Sequence, residues 1–134
     1  MVMRRDMSLI RDLMLRIESG EKTVQTLTQL HADNLGLVGE YSLTEEEASK
    51  LEYHLDLIQE VGFVAFRRVK NPAYQVERIT WTGYEFLESV RDPEIWAKTQ
   101  KGLEEVGGFG IELIAELAKG FARKKIKEHT GIDI

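Results

Sequence analysis

The segment from Thr44 to Leu87 constrains this chain most, because it carries start and stop signals for consecutive elements and leaves few ways to connect them. Thr44 followed three residues later by Glu47 is the spacing of a reciprocal helix cap. The threonine hydroxyl accepts a backbone N–H and the glutamate reaches back to the N–H of the cap. Glu45 and Glu46 add negative charge at the positive end of the helix dipole. Ala48, Leu51, Leu55 and Ile58 then recur at three- and four-residue spacing, with Tyr53, His54 and Val61 widening the stripe, so one face must bury. Gly62 supplies a left-handed stop. Phe63 to Val69 and Gln75 to Trp81 are rich in β-branched and aromatic residues around an Asn71-Pro72 turn, which predicts a short hairpin. Thr82 and Glu85 repeat the capping spacing, and Tyr84, Phe86, Leu87 and Val90 give the next helix its apolar side before Asp92-Pro93 restarts the chain.

Upstream, Asp6 or Ser8 can cap a helix whose stripe is Leu9, Ile10, Leu13, Met14 and Ile17 and whose end is Ser19-Gly20. Between Glu21 and Leu43 two periodicities compete. Val24, Leu27, Leu30 and Leu35 suit a short helix, whereas Thr23, Val24, Thr26 and Thr28 suit a strand. The reading adopted is a short helix around Val24 to Ala32, a loop from Asn34 to Gly39 and a short strand near Tyr41. Beyond Pro93, Ile95 and Trp96 open a turn or short helix reaching about Glu105. Gly107, Gly108 and Gly110 then mark a hinge. Ile111, Ile114, Leu117, Ala118 and Phe121 form a last stripe, which grades into a basic tail.

The fold class this predicts is mainly α with a small antiparallel β-hairpin, an α+β arrangement. Its order is that of a winged helix-turn-helix over residues 1–92, with a C-terminal helical extension over residues 93–134. A chain of 134 residues, 43% hydrophobic and 31% charged, suits one such core plus an extension. No apolar run approaches bilayer length, and the charged start at Met1 to Asp6 has no apolar stretch after it, so neither a membrane span nor a secretory signal is expected. Cysteine is absent, which excludes disulfides and thiol chemistry and fits a cytoplasmic location.

The net charge of −5 conceals segregation. From Thr44 to Glu60, six acids (Glu45, Glu46, Glu47, Glu52, Asp56 and Glu60) accompany one base, Lys50. The hairpin carries Arg67, Arg68, Lys70 and Arg78 against Glu77. The tail carries Lys119, Arg123, Lys124, Lys125 and Lys127 against Glu128. An acidic helix is repelled by phosphates, so nucleic acid, if bound, falls to the basic residues. The candidates are Arg67, Arg68, Lys70, Arg78, Arg123, Lys124 and Lys125. The other use of bases on a hairpin edge is to discourage strand-to-strand aggregation.

His54 within an apolar stripe reads as a satisfied, half-buried core histidine rather than a metal ligand or base, and His31 and His129 show no ligand spacing with it. Glu45-Glu46-Glu47 and Glu104-Glu105 lack apolar surroundings that would shift a carboxyl pKa. No phosphate loop, nucleophile elbow or zincin pattern occurs, so no catalytic residue, metal or cofactor is expected and the protein is read as a non-enzyme. Trp81 and Trp96, with Tyr84 and Phe86, are read as packing anchors. The stripe Ile111, Ile114, Leu117 and Phe121 has no evident core left to cover. It is a candidate protein interface, docking on the domain, on a second copy as a homodimer, or on a membrane surface.

The segments Arg4-Arg5-Asp6-Met7-Ser8-Leu9-Ile10-Arg11, Tyr53-His54-Leu55, Val61-Gly62-Phe63, Ile79 to Leu87 and Arg91-Asp92-Pro93-Glu94-Ile95-Trp96 together resemble domain-of-unknown-function family 2513, a bacterial family often found in prophage regions. The resemblance implies a winged-helix-like fold and brings no catalytic or ligand residues. The stretch between Gly20 and Tyr41 is longer than that pattern implies. The function expected is a small cytoplasmic, DNA-associated or regulatory adaptor of prophage origin, working through its basic wing. The alternative is a protein–protein interaction module that uses the acidic helix or the C-terminal helix and binds no DNA.

Overall fold

The computed structural model describes residues 3–68, 73–106 and 110–134. Lys70, the Asn71-Pro72 turn and the glycine pair 107–108 lie outside them. The elements run α1 (Met7–Glu18), β1 (Thr23–Gln25), α2 (Gln29–Asn34), α3 (Glu45–Val61), β2 (Val64–Arg68), β3 (Ala73–Ile79), α4 (Trp81–Val90), α5 (Pro93–Val106) and α6 (Ile111–Thr130). The protein is mainly helical with a small antiparallel sheet, the expected α+β class. Its contacts divide it into two compact units, Met1–Gly83 and Tyr84–Ile134, and the division falls inside α4.

In the first unit, Asp6 caps α1 by accepting the N–H groups of Ser8 and Leu9 at 3.0 and 3.2 Å. The predicted stripe buries Ile10, Leu13, Met14 and Ile17. α3 closes the expected capping box, with Glu47 N–H donating to Thr44 Oγ1 at 3.0 Å and Thr44 N–H to Glu47 Oε1 at 3.2 Å. It ends at Gly62, whose φ of 85° is the left-handed stop. Ala48, His54, Leu55 and Ile58 are its buried positions and α1 packs on it, while Val61 at the end of the stripe is exposed.

The sheet has the order β1-β3-β2, antiparallel throughout. β2 and β3 are the predicted hairpin. Val64 pairs with Ile79 and Phe66 with Val76, with a bulge between Ala65 and Phe66. Val64, Phe66 and Tyr74 are buried, and the rings of Phe66 and Tyr74 meet edge to face at 5.5 Å.

The third strand corrects the helix expected from Val24. Thr23 to Gln25 is extended, with Val24 opposite Tyr74, and the helix starts only at Gln29. β-Branched residues here meet a partner strand, which local periodicity does not see. The strand expected near Tyr41 is a loop. Its Leu43 makes an isolated parallel bridge to Thr28, and the Tyr41 N–H donates to Gln29 Oε1 at 2.9 Å.

The entry to α4 also differs from expectation. The cap is Thr80 rather than Thr82: Gly83 N–H donates to Thr80 Oγ1 at 3.1 Å, and the Thr82 hydroxyl instead donates to the Gly62 carbonyl at 3.1 Å. Trp81 therefore occupies the first helical position and is 80% exposed, not a packing anchor. Gly83 turns inward, where a Cβ would collide with the Phe63 carbonyl oxygen.

In the second unit, Phe86, Leu87, Val90, Trp96 and Leu103 are buried, Trp96 as expected. α5 runs the full fourteen residues from Pro93. Asp92 caps it, accepting the N–H groups of Glu94 and Ile95 at 2.9 and 3.2 Å, and the proline sits where no N–H is needed. α6 begins after Gly110 and packs along α5.

Candidate functional site

β2 alternates, so Ala65 and Arg67 share the face opposite to buried Val64 and Phe66. Across the ladder, Arg78 lies opposite Ala65 and Gln75 opposite Arg67, while Thr23 of β1 stands on the far side of Gln75. Arg67, Arg78, Gln75 and Thr23 are all exposed. The fold thus gathers two of the predicted bases on one outward sheet face. Neither Arg67 nor Arg78 is held in an ion pair among the described residues. Glu77, exposed beside Arg78 at the bulge, is the one acid on the hairpin. Arg68 closes β2, and its side chain, like Lys70, lies outside the described residues.

The acidic helix is less uniform than its composition suggests. Glu45 accepts the hydroxyl of the buried Thr28 at 2.8 Å. Glu47 closes the capping box. Asp56 accepts the phenol of the fully buried Tyr74 at 2.6 Å, fastening α3 to β3. Half of the six carboxylates thus have internal duties, and among the described residues Glu46, Glu52 and Glu60 remain for other partners. The capping role of Glu47 was predicted, whereas those of Glu45 and Asp56 were missed because each partner lies seventeen or eighteen residues away in the chain.

His54 is a satisfied core histidine, as its place in the stripe predicted, but it is fully rather than half buried. Its Nε2 lies 2.9 Å from the Asp6 backbone N–H, a donor only, so this nitrogen must offer its lone pair. The proton resides on Nδ1, which donates to the Lys50 carbonyl at 2.8 Å. With its lone pair engaged, the ring has nothing left for a metal or a substrate proton. It joins the start of α1 to the middle of α3.

In the second unit Arg123 and Lys124 are exposed, but Lys125 is not available in the same way. Its ammonium donates to Asp92 at 2.7 Å and lies 3.5 Å from Glu94. The Lys125 hydrogen bond, then the backbone N–H groups, hold the Asp92 carboxyl below the usual aspartate range. The same bond lifts the Lys125 ammonium above its ordinary value. Lys125 thus fastens α6 to the capped start of α5.

The expectation that the α6 stripe has no core to cover is corrected by α5. Ile114 and Ala118 are buried within the chain, Ile111, Leu117 and Phe121 are half-buried, and Leu117 lies where a Cβ on Gly102 would touch it at 3.4 Å. Among the described residues, no helix is long and apolar enough to cross a membrane.

These elements and surfaces define a small helical protein with a three-stranded sheet. Residues 4–110, most of the chain, match the family described as Hypothetical protein (DUF2513), and the chain belongs to it. No curated protein and no solved structure gave a match.

Proposed function

We propose that the protein is a non-enzymatic winged-helix module of the cytoplasm, acting as a nucleic-acid-associated or regulatory adaptor through its basic hairpin. Helix, strand, two helices and a hairpin, with the hairpin beside the third helix, is the connectivity in which strands serve as a wing. The observation that carries the reading is the pair Arg67 and Arg78 on one exposed sheet face, neither consumed by an ion pair among the described residues. Such a face neutralises phosphates without reading bases, and the acidic exposed side of α3 does not enter a groove lined with phosphates. Titration of duplex DNA at rising salt tests this. Binding at low ionic strength that weakens steeply with salt supports it, and no detectable binding at low ionic strength removes it.

A second reading, a protein-interaction module without DNA binding, is favoured by the uncommitted carboxylates Glu46, Glu52 and Glu60. Its test is a captured partner lost on charge reversal at Glu46 and Glu60. Glu45 and Asp56 are unsuitable for that test, since their reversal would break internal hydrogen bonds.

A further inference from the structure

The outward face of α6 carries a charge pattern that is scarcely used among the described residues. Glu112 and Glu116 lie on it in the N-terminal half and Arg123 and Lys127 in the C-terminal half, all exposed. The helix dipole accounts for Glu112 in the first turn and Lys127 in the last. Its influence fades within one turn, so it does not account for Glu116 or Arg123. Among the described residues Glu112, Glu116 and Arg123 have no ion-pair partner, and Lys127 has only exposed Asp133 at 3.7 Å. At four-residue spacing along the helix the charges are alike, Glu112 with Glu116 and Arg123 with Lys127, which disfavours an isolated helix.

Gly120 lies on the same face, in the helix interior, where an added Cβ would meet nothing within 4 Å. Glycine weakens a helix relative to alanine, and no neighbour among the described residues requires it here. A bare position of this kind suits close approach by another backbone. The spacings are also symmetric. The midpoint between Glu116 and Arg123 coincides with that between Glu112 and Lys127, and it falls between Lys119 and Gly120. Read in the opposite direction, the face presents a base wherever it presented an acid.

We infer that α6 pairs antiparallel with α6 of a second copy, about a two-fold axis beside Gly120. Glu116 of each copy faces Arg123 of the other, and Glu112 faces Lys127. This is a self-complementary interface, the kind a symmetric dimer needs. Leu113 and Ile126, 36% and 39% exposed, border the stripe and add apolar area. Lys119 lies at its rim, where a long side chain keeps its ammonium in water. The opposite, buried face of α6 stays on α5. One helix pair covers less area than a standard interface, so the dimer is weak and sensitive to salt.

Sedimentation equilibrium of the full chain over a concentration series, at low and high salt, tests this. The mass should move from monomer to dimer at low ionic strength, and the dissociation constant should rise about tenfold or more with salt. Glu116→Arg alone and Arg123→Glu alone should each abolish the dimer, while the two together restore it. Gly120→Leu should keep or raise helicity by circular dichroism and still remove the dimer. A mass that stays monomeric at low salt overturns the proposal. So does a dimer indifferent to the single reversals or to Gly120→Leu, or a double reversal that fails to rescue.

Discussion

Gly83 fixes a junction by the atom it lacks. The Phe63 carbonyl oxygen accepts both the backbone N–H of Thr80, at 2.9 Å, and its hydroxyl, and it fills the place where a side chain at position 83 would begin. Gly83→Ala should therefore destabilise the protein by about 1–3 kcal/mol, seen as a lower urea midpoint. The Tyr74–Asp56 bond predicts an asymmetry between its two ends. Tyr74→Phe removes a donor and leaves a carboxylate that water can satisfy, at a cost of about 1 kcal/mol. Asp56→Ala removes the carboxylate that accepts from a buried hydroxyl and should cost more, about 1–3 kcal/mol, in the same denaturation assay. His54→Leu loses partners at both ring nitrogens and should exceed either.

Among the elements, α3 was legible almost to the residue, because its cap, stripe and left-handed stop are all local signals. Thr44→Ala should cost about 1 kcal/mol by thermal or chemical unfolding. β1 was not legible. Thr23 and Val24 become a strand only because β3 offers an edge, a contact made across fifty residues of chain. The true cap of α4 was hidden for the same reason: Thr82 has the right spacing, yet the Gly62 carbonyl claims its hydroxyl and Thr80 takes the role. For the candidate site, the basic composition of the hairpin was readable, but the common face of Arg67 and Arg78 depends on the bulge. The loss of Lys125 to Asp92 depends on tertiary packing.

Asp92 also predicts a pH effect. A carboxyl held below its ordinary value adds stability above the usual aspartate pKa of about 3.9 and loses it as pH falls through the lowered value. Asp92→Asn can still cap α5 but carries no charge. The melting temperature of the unaltered protein should exceed that of this variant near neutral pH, and the gap should shrink under acid.

For the whole molecule, the sign of the net charge does not describe every surface. The formal −5 resides largely in α3, where three carboxylates are spent on capping and on buried hydroxyls. The exposed sheet face is basic. If that face meets nucleic acid, Arg67→Ala and Arg78→Ala should each lower the salt slope of duplex binding by about one and weaken different sequences alike. Charge reversal at Glu46 should instead leave the slope within about one unit of its original value.

The imidazole that receives the Asp6 amide has one more consequence. Amides at a helix start normally trade protons with water at once, since nothing inside the helix accepts them. This one is tied to a ring sealed in the core, so its deuterium uptake should be slow. A single resonance near the beginning of the chain would then time the excursions in which α1 lifts away from α3.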